Sequence, residues 1–468
     1  MISPFARWIV ALAVSGVAMA LVLAGAAKAQ EPLGDWHGTL RSATAELRVG
    51  LEIGAKPGGG YQGRMISPDQ SPVWITLDSV TVENGRLSFS GARLHGSYEG
   101  WWDEAQQAWV GEWTQGQPMT LVFTRGKPEP RLRPQTPKPP FPYRAEEVAF
   151  DSAPGVRLAG TLTLPKGKGP FPAAVLITGS GAQDRDETIM DHKPFMVLAD
   201  ALTRRGIAVL RTDDRGFAKS TGDFAKATSE DFAADAEAGV SFLAARPEID
   251  ARRIGLIGHS EGGLIGPMVA VADPRVAFVV MLAGPGVPSR ELMTAQREAV
   301  ARTAGVAPEA VARNEAVIGR VEEALAQGKD AAQADADATK VLTDAGMPAA
   351  GAAQTVRQLS SPWYRWFIAY DPRPTLRKLR IPVLALNGDK DVQVVAAQNL
   401  PAIREALKDD PKAEVVELPG LNHLFQTAGT GAPSEYARIE ETIAPTALGV
   451  IGDWVVKETK PGSKEAAR

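Results

Sequence analysis

The chain has 468 residues, 44% hydrophobic and 23% charged, which fits a folded protein of about two or three domains and not a disordered one. With 51 Lys and Arg against 55 Asp and Glu, the net charge is −4, so nothing suggests the basic face that nucleic-acid binding needs. There is no cysteine, which excludes disulfides, thiol nucleophiles and thiolate metal sites and leaves the core as the source of stability.

Residues 1–29 read as an export signal and not as fold. Arg7 supplies positive charge, an apolar run extends from Trp8 to about Ala26, and Ala27-Lys28-Ala29 fits the small-x-small pattern of signal peptidase, leaving Gln30 as the first mature residue. The expectation is an exported protein, periplasmic or secreted, with no stable membrane span after cleavage. An uncleaved anchor is the alternative, because the run is nearly long enough to cross a bilayer.

Residues 31–126 predict a small all-β domain. Segments 46–53, 73–77, 87–89 and 119–123 alternate apolar and polar side chains, and Gly, Asp and Asn punctuate them. A barrel or sandwich is the natural product. Trp36, Trp74, Trp101, Trp102, Trp109 and Trp113 all lie here, either as core or as a platform for carbohydrate or lipid. Residues 127–143 are rich in proline and read as a semi-rigid linker.

From residue 144 to 460 the rhythm changes. A hairpin over 148–150 and 156–164 is followed by apolar strand runs at 173–178, 207–211, 254–258, 277–282, 383–386 and 413–418. Helical patterns separate them, at 194–205, 229–246, 261–272, 397–408 and 435–457. Unbroken apolar strands alternating with helices predict a parallel sheet buried on both faces. Residues 288–372 interrupt the alternation as an Ala-rich helical insertion, expected to cap the C-terminal edge of the sheet, where ligands bind. Its aromatic end, 361–368, either lines an acyl pocket or docks the cap on the body.

The strongest chemical signal is Gly258-His259-Ser260-Glu261-Gly262, placed after a predicted strand and before a predicted helix. That is the context of a nucleophile elbow. Gly258 and Gly262 are small because the backbone passes close to its neighbours there. A serine hydroxyl needs a base. Of five histidines, His37 and His95 lie in the β domain, His259 sits inside the elbow and His192 precedes Ser260; only His423, after the last strand, satisfies the order nucleophile, acid, histidine. The acid belongs between them, in 387–394. Asp391 is preferred there, with Asp389 assigned to the turn itself. The oxyanion donors are expected to be the backbone N–H of Glu261 and that of Ser180 in the Gly-rich loop 178–182, with Gly181 next in line. Arg215 with Asp213 or Asp214 is read as an ion-pair network bracing loops. A metal site is not expected, because these carboxylates lack histidine partners.

Several stretches taken together, 179–187, 192–195, 213–216, 258–263, 282–286 and 388–391, make residues 145–457 resemble a bacterial α/β-hydrolase esterase family, here with an extra N-terminal domain. The resemblance implies an α/β-hydrolase fold with a helical cap, preceded by the small all-β domain. It implies carboxylic-ester hydrolysis through Ser260, Asp391 and His423 on a small-molecule ester, without metal or organic cofactor. Ala218 departs from the family, which often has glycine in that loop. The same triad serves peptidases, thioester hydrolases and acyltransferases, and a binding protein with an inert hydrolase body is a further reading.

Overall fold

The computed structural model describes residues 31–41, 46–70, 73–115, 117–327 and 330–460. The expected export signal lies outside them. No helix among the described residues is long and apolar enough to cross a membrane. The described residues form two compact units; one comprises residues 31–132 together with Thr188–Asp191, the other Arg133–Glu187 and residues 192–460.

The first unit is a nine-stranded sheet: β1 (Gly34–Arg41), β2 (Glu46–Ala55), β3 (Tyr61–Ile66), β4 (Ile75–Thr76), β5 (Ser79–Glu83), β6 (Arg86–Gly91), β7 (Gly96–Asp103), β8 (Ala108–Gln115) and β9 (Gln117–Arg125). Its order is β4-β3-β2-β1-β9-β8-β7-β6-β5, with antiparallel neighbours throughout. Alternation decides what faces inward: Leu87 and Phe89 on β6, and Leu121 and Phe123 on β9, are buried, while their neighbours are not. The sheet curls on itself, since Leu77 N–H donates to the Gly63 carbonyl on β3 and Asp78 N–H to the Ser90 carbonyl on β6. Trp36, Trp109 and Trp113 fill its core, the first two edge-to-face at 6.3 Å, whereas Trp101 is 55% exposed.

The second unit is an eight-stranded mixed sheet. β10 (Arg144–Ala153) and β11 (Val156–Leu164) form an antiparallel hairpin at one edge; β12 (Phe171–Ile177), β13 (Ala208–Thr212), β14 (Ile249–His259), β15 (Val276–Leu282), β16 (Val383–Gly388) and β17 (Ala413–Leu418) run parallel. The order is β10-β11-β13-β12-β14-β15-β16-β17. Helices cover both faces. α1 (Pro194–Arg204) and α11 (Pro445–Glu458) share a core with Ala174 and Leu176 of β12; α2 (Ser229–Ala244), α3 (Gly262–Ala272) and α10 (Ala396–Ala406) share the other with Val175 and Ile177. This two-sided burial is why the strands read as continuous apolar runs. The architecture is that of an α/β hydrolase, as the resemblance implied.

Between β15 and β16 the described residues form six helices, α4 (Ser289–Thr303), α5 (Pro308–Gln327), α6 (Ala331–Asp344), α7 (Ala349–Leu359), α8 (Pro362–Ala369) and α9 (Arg373–Leu376). The Arg297 side chain is packed among them, paired with Glu315 at 2.8 Å and Glu322 at 2.7 Å, and Tyr364 Oη donates to Glu322.

Two expectations need correction. The last helix does not begin at 435. A short 3₁₀ turn at Pro433–Glu435 is followed by a loop, and α11 starts at Pro445, whose missing N–H suits the first turn of a helix. The proline-rich linker is also not a spacer over its whole length. From Arg133 onward it belongs to the α/β unit, with the Arg133 guanidinium donating to the carbonyls of Ile439 and Ala437, and the Gln135 amide to that of Ile443.

Candidate active site

β14 ends at His259, and α3 begins at Gly262, so the chain reverses at Ser260. Ser260 has φ +54°, a left-handed conformation that costs a non-glycine residue about 1–2 kcal/mol. Its N–H donates to the Leu282 carbonyl on β15 at 2.8 Å, and its own carbonyl accepts from Gly263 at 2.9 Å. A Cβ on Gly258 would overlap the Gly262 carbonyl, and one on Gly262 would overlap the Ile177 carbonyl of β12. The two glycines therefore permit the turn at all.

The loop after β16 presents a buried carboxylate with both oxygens engaged. Asp391 Oδ1 accepts from the Gln393 and Val394 amides at 2.7 and 2.9 Å, and Oδ2 lies 2.8 Å from His423 Nδ1. The Asn387 side chain closes this loop by donating to the Val394 carbonyl. Asp389 points elsewhere and accepts from the Gly420 amide at 2.6 Å. The structure thus brings Asp391, and not Asp389, to the histidine.

His423 stands at the tip of a tight loop after β17, shaped by Asn422, whose Oδ1 accepts from the amides of Leu424 and Gln426. The elbow reaches it directly: His259 Nε2 donates to the His423 carbonyl at 2.9 Å, and the two imidazole centroids are 4.8 Å apart. His192 is occupied with bracing; its ring meets Thr442 Oγ1 at 2.9 Å, the Tyr436 carbonyl at 3.0 Å and the Gln426 amide at 3.0 Å.

The Gly-rich loop after β12 lies against the elbow, where a Cβ on Gly179 would stand 3.2 Å from that of Ser260. Gly181 is left-handed, at φ +93°. Three acids lie against this loop. Glu187 Oε1 accepts the Gly179 N–H at 2.8 Å. Asp214 accepts the Thr178 hydroxyl at 2.7 Å and the Gln183 N–H at 2.8 Å. Glu261 lies beside the Ser180 side chain and accepts from Ser229 Oγ at 2.6 Å and, out of the cap, from Trp363 Nε1 at 2.8 Å. Burial pushes the Asp214 carboxyl well above the usual carboxylate range, against the hydrogen bonds it accepts, and raises Glu261 in the same way. A cavity of about 40 Å³ is lined by both acids together with Gly179 and Gly181.

Arg215 is paired, but not with its neighbours. It binds Asp231 and Asp235 of α2 at 3.0 and 2.7 Å, while Asp213 takes Arg185 at 2.8 Å. Successive residues beyond a strand point in different directions, so the network runs between elements and not along the Asp-Asp-Arg run. Sequence reasoning did not single out Glu187, Ser229, Trp363 or Asn422. Glu187 lies in the stretch Gln183-Asp184-Arg185-Asp186-Glu187, where nothing distinguishes it from Asp184 or Asp186. Among the described residues no cluster of three or more His, Asp or Glu is placed to hold a metal ion.

The chain is similar to several known proteins. It is 29% identical over 301 residues to esterase EstD of Thermotoga maritima, covering 64% of this chain and 66% of that one. It is 31% identical over 134 residues to an uncharacterized protein of Mycobacterium tuberculosis, covering 29% and 44%. The matched parts thus span less than two-thirds of these relatives. Among solved structures, an esterase of Pyrococcus furiosus aligns with a TM-score of 0.42 at 15% identity, over 68% of this chain and 92% of that one. Residues 154–423, more than half of the chain, match the family described as X-Pro dipeptidyl-peptidase (S15 family), and the chain belongs to that family.

Proposed function

We propose that the protein is a serine hydrolase that cleaves carboxylic esters through an acyl-enzyme, with Ser260 as nucleophile, His423 as base and Asp391 as its orienting acid. The observation that carries this reading is the buried His423–Asp391 hydrogen bond, in a loop tied by its own backbone to the strained elbow that holds Ser260. A carboxylate only accepts, so Nδ1 carries the ring hydrogen, and Nε2 is left to take the Ser260 proton as the hydroxyl attacks the carbonyl carbon. The tetrahedral oxyanion is stabilised by the N–H groups of Glu261 and Ser180, with Gly181 adjacent; Gly179 N–H is already committed to Glu187. His423 then passes its proton to the leaving alcohol. Water, deprotonated by the same ring, attacks the acyl carbon, and the departing Ser260 oxygen recovers a proton. No step needs a metal or an organic cofactor.

The similarity to EstD supports an ester as substrate, whereas the family description favours a second reading, release of an Xaa-Pro dipeptide. The two separate in one assay series. Purified protein is expected to turn over p-nitrophenyl esters, with a preference somewhere between acetate and palmitate, at a kcat/KM at least about 100-fold above that for Ala-Pro-p-nitroanilide, since selectivity of that size follows from one mismatched site contact. Faster cleavage of the anilide would replace the esterase reading with the peptidase one.

A further inference from the structure

His259 offers both ring nitrogens to acceptors. Nε2 lies 2.9 Å from the His423 carbonyl oxygen, which has no hydrogen to give, so Nε2 carries one. Nδ1 lies 2.9 Å from Glu187 Oε1, and that same oxygen accepts the Gly179 N–H at 2.8 Å. A carboxylate oxygen in this position takes a second hydrogen from the ring, and an imidazole with hydrogen on both nitrogens is a cation. Both partners are buried, His259 at 7% exposure and Glu187 at 3%. Glu187 is also held at φ +53°, a conformation a non-glycine side chain adopts only when its surroundings fix it. One contact chain therefore runs from the oxyanion loop, through Glu187 and His259, to the backbone of His423.

We propose that His259 is a positioning residue, held as an imidazolium between Glu187 and the His423 carbonyl, and that this clasp sets the oxyanion loop and the catalytic histidine at their distances from Ser260. The proposal rests on the reading of Ser260, Asp391 and His423 as the catalytic residues. It uses the histidine beside the nucleophile as a fixed cation and not as a base. The titratable groups facing the ring are Glu187 from the loop after β12, Asp391 from the loop after β16 and His423 from the loop after β17. Burial disfavours the charged ring, but Glu187, the His423 carbonyl and Asp391 outweigh it and raise the His259 pKa above the ordinary histidine value. The two acceptors place a hydrogen on each nitrogen, and the charge is lost as pH rises through the raised value, so the clasp weakens on the alkaline side.

The test is imidazole nitrogen NMR on full-length mature protein labelled at histidine, with the His259 signals assigned by their loss in His259→Gln. Both His259 nitrogens are expected to be protonated at pH 7, with a titration above that of an ordinary histidine. Glu187→Gln keeps an acceptor oxygen for Gly179 but removes the charge. It is expected to move the His259 titration, and with it the alkaline limb of kcat for p-nitrophenyl acetate, to lower pH. It should lower kcat by about 10- to 100-fold while KM changes little, the pattern of misplaced catalytic groups. A neutral His259 ring at pH 7, with one bare nitrogen, would overturn the proposal. So would a Glu187→Gln enzyme with the wild-type kcat and pH profile. The ring's protonation is read on wild-type protein without turnover, so it stands even if Glu187→Gln fails to fold or the esterase reading fails.

Discussion

Ser260→Ala is expected to lower kcat/KM for ester hydrolysis by about 10⁴- to 10⁶-fold, the scale on which a triad nucleophile acts. The protein should remain folded. Ser260 already occupies a left-handed conformation, and alanine has the same backbone requirement, so the strain at φ +54° is unchanged. The fixed backbone contacts of the elbow, Ser260 N–H to Leu282 and Gly263 N–H to Ser260, involve no side chain. Circular dichroism and thermal melting of the variant should match wild type while turnover vanishes. Loss of both together would mean that the serine holds the turn and would remove the basis for calling it a nucleophile.

Asp391→Asn should be almost as damaging, about 10⁴-fold in kcat. Asparagine keeps one oxygen for the Gln393 and Val394 amides, so the loop survives. The group that then faces His423 Nδ1 is an amide, which either turns an N–H toward a ring hydrogen or forces the wrong tautomer. In both cases Nε2 no longer serves as the base. Asp389→Asn gives the internal comparison. Among the described residues its carboxylate meets only the Gly420 amide, and the variant should stay within about three-fold of wild-type kcat, with at most about 1 kcal/mol lost in stability for one altered hydrogen bond. Equal losses at both positions would mean that the acid loop matters for its shape alone. A larger loss at Asp389 would reassign the acid.

The contrast between these two aspartates shows where sequence is informative. Gly258 and Gly262 are legible because the elbow imposes a local steric demand, met within five residues. The sheet is legible because burial on both faces writes itself as apolar runs. Asp389 and Asp391 are two residues apart, and both fit the order of the chain. What separates them is the closure of the loop by Asn387 onto Val394 and the approach of His423 on the loop after β17, 32 residues away. Contacts of longer range were harder still. Glu187 meets His259 across 72 residues, and Trp363 meets Glu261 across 102. Neither leaves a periodic or motif-like trace, because a single hydrogen bond between distant elements constrains only its two ends. In the β domain, alternation reveals strands but not their closure. Whether they stack as two sheets or curl as one depends on β1 pairing with β9 some 90 residues later, a register that no local pattern encodes. The end of the proline-rich run was misread for a related reason, since composition describes an isolated segment and Arg133 and Gln135 are anchored by carbonyls some 300 residues away.

The central claim is that Ser260 is an activated nucleophile, and fluorophosphonate labelling followed by peptide mapping tests it most directly, without knowledge of the natural substrate. The account predicts one stoichiometric adduct on Ser260, formed by wild type and absent from Ser260→Ala. An adduct on another residue, or a folded wild-type protein that takes no label, would contradict it.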